Sequence, residues 1–153
     1  MPQRSVHTPV FDLTVFEQDG SIVALDWGWV EDQDDTPLLR EAKQQIDAFF
    51  DEGGIIFDLP LNPHGTAFEK AVWAEMERIP VGQTWTYMDI AKSLGSVPRA
   101  VGRAAGKNPI PLIIPCHRVV GANGKMTGYS GEGGLDTKQD LLIIEGAIPP
   151  RLL

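Results

Sequence analysis

Apolar positions along the chain follow two periods, and the changes between them mark the elements. Val10-Phe11-Asp12-Leu13-Thr14-Val15-Phe16 alternates in part, Asp19-Gly20 is a turn signal, and Ile22-Val23-Ala24-Leu25-Asp26-Trp27 resumes a strand-like pattern. This predicts a β-hairpin. The acidic run 31–35 reads as a solvated loop, after which Thr36 can cap and Pro37 can open a helix. Leu38, Leu39, Ala42, Ile46, Phe49 and Phe50 then recur at helical spacing until Gly53-Gly54 stops them. Ile55-Ile56-Phe57-Asp58-Leu59 reads as a further strand, and Pro60 to Gly65 as a linker. Residues 1–62 are therefore expected to form a small α/β domain, a β-sheet with one helix, and residues 63–153 a second domain.

The second part reads as mainly helical. Thr66 with Glu69 makes a capping box, and Phe68, Val72, Met76 and Ile79 share one face that belongs in a core; Trp73 is expected to pack there too. Pro80-Val81-Gly82 ends this helix. Thr86 caps a short helix over 87–94, Gly95 turns the chain, Ser96 can cap again, and Pro98 starts a helix running to about Gly106. Two short helices across a tight glycine turn suggest a helix-turn-helix. Arg99, Arg103 and Lys107 fall at i, i+4 and i+8 and form one basic stripe, while Ala100, Gly102, Ala104, Ala105 and Gly106 leave little bulk between backbone and partner. A stripe this short is also what a solvated charged face looks like. Farther on, 122–125 is a turn, 127–134 is a glycine-rich loop without P-loop or dinucleotide spacing, and 136–144 is a last helix closed by Glu145-Gly146.

One stretch resists a purely structural reading. Within Asn108-Pro109-Ile110-Pro111-Leu112-Ile113-Ile114-Pro115-Cys116-His117-Arg118-Val119-Val120-Gly121, an apolar run is broken by a proline and three chemically capable side chains. Neighbours in a strand point to opposite faces, so Cys116 and His117 converge only if Pro115 ends the strand and the chain turns. A free cysteine is often an inert core residue. Beside a histidine that takes its proton it becomes a thiolate, the nucleophilic form.

Composition narrows the setting. Of 153 residues, 42% are hydrophobic and 22% charged, which fits a globular chain with a real core. No run approaches a membrane span, and no signal-peptide core follows Met1, so an intracellular protein is expected: cytoplasmic, or nuclear in a eukaryote. The single cysteine excludes an internal disulfide and fits a reducing compartment; His7, His64 and His117 are scattered, so no metal site is expected. The net charge of −8 argues against a nucleic-acid partner until its distribution is read. Residues 1–80 hold 5 Lys/Arg against 16 Asp/Glu, whereas residues 81–131 hold 6 against 1. The positive block surrounds the cysteine.

Asn108-Pro109, then Ile114-Pro115-Cys116-His117-Arg118-Val119-Val120, resembles the acceptor-cysteine signature of the O6-alkylguanine-DNA alkyltransferases (methylated-DNA–protein-cysteine methyltransferases). The resemblance extends over about residues 62–147: Thr86-Tyr87 with Ile90-Ala91, Arg99-Ala100-Val101-Gly102, Gly128-Tyr129-Ser130-Gly131, and Leu141-Leu142 with Glu145-Gly146. It implies a winged-helix-like C-terminal domain acting on double-stranded DNA that contains O6-alkylguanine, and O4-alkylthymine as well. Cys116 would accept the alkyl group, and His117, acting through a water and held by Glu145, would remove its proton. Asn108 would stabilise the turn before the cysteine, Tyr87 would protonate the leaving guanine, and Arg99 would fill the gap left by the rotated base. Arg103, Lys107, Ala100, Gly102 and Arg118 would line the DNA side, and Tyr129, Ser130, Gly131 and Val119 the base pocket. A thioether has no easy route back, so one turnover per chain is expected, with no cofactor, no membrane and a monomer. Two other readings compete: a lesion sensor on the same fold, whose relatives replace the cysteine, and a Cys-His-Glu hydrolase.

Overall fold

The computed structural model describes residues 1–127 and 134–150. Its first element was not foreseen. Strand β1 (Gln3–His7) runs antiparallel to β2 (Asp12–Gln18), which pairs with β3 (Ser21–Trp27) in the order β1-β2-β3. Val6 is the only aliphatic side chain in β1, so the strand carries little hydrophobic signal; it is held by its ladder and by Ser5, buried against Thr14. The β2–β3 hairpin forms as expected, with Asp19 and Gly20 both at positive φ (51° and 80°), the turn whose twist matches a hairpin.

Helix α1 (Pro37–Glu52) is capped by Thr36, whose hydroxyl accepts the Leu39 N–H at 3.0 Å, and ends at Gly53 in the left-handed region. Leu39, Ala42, Ile46 and Phe49 join the sheet residues Val6, Leu13, Val15 and Leu25 in the core. The strand expected over 55–59 is absent. Its polar backbone is taken up by a side chain of α1: Gln45 accepts the Asp58 N–H and donates to the Asp58 carbonyl, while Ile56 stays 90% exposed. Only Leu61 reaches the sheet, as an isolated bridge to Ile22.

Helices α2 (Ala67–Glu77) and α3 (Tyr87–Leu94) each start with a complete capping box, Thr66/Glu69 and Thr86/Asp89. Val72, Trp73, Met76 and Ile79 are buried as expected; Phe68 is not, because it stands in the first turn and points outward. Gly95 closes α3 with φ 66°, and α4 (Pro98–Gly106) follows three residues later. Ser96 does not cap it. The cap position is Val97, which offers no side-chain acceptor. A two-stranded parallel pair, β4 (Trp85–Thr86) with β5 (Val119–Val120), joins the start of α3 to the residues after the cysteine, and α5 (Leu135–Ile144) covers that turn. One apolar cluster runs through all of these elements, from Val6 to Leu141. β3 also reaches the cysteine loop directly, since the Leu25 N–H donates to the Pro109 carbonyl at 2.9 Å.

Candidate active site

Pro115, at φ −82° and ψ 67°, leads into a single 3-10 turn, Cys116–Arg118, with β5 immediately after. Cys116 and His117 are therefore consecutive residues of a turn, and the strand rule that would separate them does not apply. The loop before Pro115 folds on itself rather than forming a strand. Asn108 staples it: its Nδ2 donates to the Ile114 carbonyl at 2.8 Å, and its Oδ1 accepts the Ile110 N–H at 2.9 Å. Leu112, fully buried, holds φ 74° in this loop, a conformation uncommon for a residue with a Cβ.

His117 is completely buried, with Nε2 3.0 Å from Oε2 of Glu145. Glu145 is in turn gripped by Arg118, whose Nε lies 3.1 Å from both carboxylate oxygens and whose Nη2 lies 2.6 Å from Oε2; the other arm, Nη1, donates to the Ile79 carbonyl at 2.7 Å. Burial pushes the Glu145 carboxyl up, but hydrogen bonding and charge from His117 and Arg118 outweigh it, so the group stays below its usual range and ionised. Burial also holds the His117 imidazole below its ordinary value, against the opposing pull of Glu145. An ionised carboxylate only accepts, so Nε2 carries the ring proton and Nδ1 presents a lone pair. Nδ1 is buried and has no hydrogen-bond partner among the described residues. A neutral imidazole held this way is a proton acceptor, and it immediately follows the free cysteine.

The thiol of Cys116 is pushed up by burial; the Asn108 amide, the positive charge of Lys138 and the backbone N–H groups of Cys116 and His117 pull it partly back. Lys138 was not anticipated from the sequence. It is fully buried on α5, donates from Nζ to the carbonyls of Val119 (2.5 Å) and Thr127 (2.6 Å), and lies 5.9 Å above the Tyr87 ring. Burial depresses its ammonium to about 8. The signal was present: Thr137, Lys138, Leu141, Leu142 and Glu145 are buried at helical spacing, so both charges stand on the inward face of α5. Tyr87 donates its hydroxyl to the same Thr127 carbonyl at 3.2 Å, and burial raises its phenol.

The remaining candidates divide clearly. Arg99, Arg103 and Lys107 are exposed along α4, with Lys107 3.6 Å from Glu69; Ala100 and Gly102 are half-buried, Gly102 towards Tyr87. Arg118, expected on the DNA side, is corrected: at 6% exposure its guanidinium is committed to Glu145 and Ile79. Val119, expected in the base pocket, is a fully buried core residue that contributes its carbonyl to Lys138. Tyr129, Ser130 and Gly131 lie outside the described residues. Among the described residues, no group of His, Cys, Asp and Glu is placed to hold a metal, and no helix is long and apolar enough to cross a membrane.

Residues 67–147 match the family model described as 6-O-methylguanine DNA methyltransferase, DNA binding domain. The chain is 49% identical over 121 residues to the methylated-DNA–protein-cysteine methyltransferase of Methanosarcina acetivorans, covering 78% of this chain and 74% of that protein. The chain belongs to this family. A constitutive member from Bacillus subtilis is 40% identical over 154 residues, covering 92% of this chain and 93% of its own. The fold agrees along the chain: the crystal structure of Mycobacterium tuberculosis OGT in complex with DNA superposes with a TM-score of 0.84 at 36% identity, covering 96% of this chain and 94% of that one. Every candidate residue lies inside the segment that the family model matches.

Proposed function

We propose that the protein repairs alkylated DNA by moving the alkyl group of O6-alkylguanine onto Cys116, once per chain. The observation that carries this reading is the buried chain Arg118–Glu145–His117, which ends in an unpaired imidazole nitrogen on the residue that directly follows the only cysteine. His117 takes the thiol proton from Cys116, through a water, and Glu145 stabilises the imidazolium that forms. The thiolate attacks the alkyl carbon, a C–S bond forms, the bond from carbon to O6 breaks, and the guanine leaves with the electron pair. Tyr87, kept protonated by burial, supplies a proton to the departing purine; Lys138 places a cation near both the sulfur and the phenol. Asn108 holds the loop that presents the sulfur.

The alkyl carbon of a duplex lesion is out of reach until the nucleotide leaves the stack, which costs a few kcal/mol. We read α3 and α4 as a helix-turn-helix within a DNA-binding domain at 63–153, with α4 against the DNA. Arg99 at its head fills the vacated space, Arg103 and Lys107 meet phosphates, and Ala100 and Gly102 allow close approach. Tyr129, Ser130 and Gly131 contact the extruded base.

Intact-mass measurement after exposure to duplex DNA containing O6-methylguanine tests the reading. One methyl per chain is expected, mapped to the Cys116 peptide and absent from Cys116→Ala. Sustained turnover, or an adduct elsewhere, would overturn it.

A further inference from the structure

α4 is poorly equipped to fix its own position. It has nine residues, no side-chain cap at Val97, and glycines at 102 and 106, so its intrinsic stability is low. Its last turn, however, is held from α2. The indole Nε1–H of Trp73, a residue 2% exposed, donates to the Ala104 carbonyl at 2.8 Å. That carbonyl also accepts the Lys107 N–H at 3.1 Å, so Trp73 binds the helix end itself. The ring is braced from the other side by Gly65, where a Cβ would stand 2.4 and 2.7 Å from Cη2 and Cζ3 of the indole. A second tie runs in parallel: Glu69, fixed by its bond to the Thr66 N–H, sits 3.6 Å from Lys107.

We propose that Trp73 is a positioning residue for DNA engagement: acting through the Ala104 carbonyl, it sets the angle and register at which α4 presents Arg99 and Arg103. At a rise of about 1.5 Å per residue, Arg99 lies about 7.5 Å along the axis from the clamped residue. A small tilt at the clamp therefore displaces the arginine head as well. Buried indole N–H groups ordinarily have a partner; here the partner is the element that meets the substrate. The proposal rests on the reading of α4 as the DNA-contacting helix.

The test compares two substrates of the full chain: duplex DNA containing O6-methylguanine, and free O6-benzylguanine, which reaches Cys116 without α4. Trp73→Phe keeps most of the ring volume and removes the donor. Its affinity for the duplex is expected to fall about 5- to 10-fold, the size of one buried hydrogen bond, so that the ratio of duplex to free-base rate falls with it. Gly65→Ala keeps the donor but forces the indole aside, and the same fall in the ratio is expected. It also serves should Trp73→Phe not fold. Equal losses on both substrates, or no loss in either folded variant, would overturn the clamp. Arg99→Ala/Arg103→Ala separates the two levels: if it leaves duplex affinity unchanged, the reading of α4 fails, and the proposal with it.

Discussion

The β-sheet and the cysteine turn both bury polar side chains, and they do so in opposite ways. In the sheet the buried groups are neutral and mutually satisfied. Thr14 donates to the Gly28 carbonyl at 2.8 Å and accepts the Ser5 hydroxyl; Ser5 in turn accepts the Val30 N–H and the Gln33 amide. Thr8 bonds to Val10 and Phe11. Around the cysteine the buried groups are ionisable: Arg118, Lys138 and Glu145 carry charge, and His117 is a neutral imidazole whose second ring nitrogen is left unpaired. Closed networks of neutral groups fix a loop. Buried charges cost desolvation, and replacing them with hydrocarbon is often neutral or stabilising, so stability does not explain their presence. The difference locates chemistry without reference to any relative.

Removing the hub of the charged set is the strongest way to break this contrast. Glu145→Ala leaves Arg118 and His117 facing each other in a dry site, a loss of about 3–5 kcal/mol in urea unfolding together with loss of alkyl transfer. A loss near 1 kcal/mol would mean that the cluster is solvated and no different in kind from the sheet's network.

Acid should separate the two regions next. His117 is held below its ordinary value of 6.5, so between that value and its folded one the unfolded chain binds more protons than the folded chain, and stability falls as pH drops below about 6.5. Glu145 acts in the same direction: its contribution is present above the ordinary carboxyl value of 4.5 and is lost as pH falls further. Urea midpoints at pH 7.5, 6 and 5 should therefore decline, and His117→Gln should flatten the decline above pH 5. An unchanged slope in that variant would place the titrating group elsewhere.

How much of this was legible in the sequence depends on the distance between partners. The hairpin, the five helices read from the sequence and the Thr66/Glu69 capping box are written in residues at most four apart, and they form as read; at Thr86 only a cap was read where a full box forms, and the cap read at Ser96 does not form. The turn at Pro115 was legible for the same reason, and it puts Cys116 and His117 in one 3-10 turn instead of on opposite faces of a strand. Arg118 was misread because its partners are 27 and 39 residues away, and a local basic block says nothing about which of its members turn inward. β1 was missed because one aliphatic residue in five gives no periodicity, and 55–59 was misread because Gln45 substitutes for a neighbouring strand. Lys138 is the intermediate case: its position on the inward stripe of α5 was visible, but nothing local said that two carbonyls would be waiting for it.

Lys138→Met sharpens the contrast at the level of chemistry. The lysine's charge pulls down a Cys116 thiol that burial pushes up, so its loss should move the thiol further up. The thiolate is the reacting form, so the rate of Cys116 alkylation by iodoacetamide at neutral pH should fall. Its pH–rate profile should shift towards alkali. In the parent protein the cation itself is lost above about pH 8, so the wild-type and variant rates should converge there.

The smallest effect belongs to the sheet. Thr14→Val preserves shape and removes one hydroxyl from a closed network, leaving the Gly28 carbonyl and the Ser5 hydroxyl each short of one partner. The expected loss is about 1 kcal/mol in urea unfolding, independent of pH between 5 and 8 because no member of the network titrates there. Transfer from O6-methylguanine DNA should be unchanged. The sheet does touch the acceptor loop, through the Leu25 N–H and the Pro109 carbonyl, but that bond is made from β3, and Thr14 faces the β1 side and the loop at Gly28. A fall in transfer rate in a fully folded Thr14→Val protein would mean that the neutral network, too, transmits to the sulfur, and that the division between scaffold and chemistry is drawn in the wrong place.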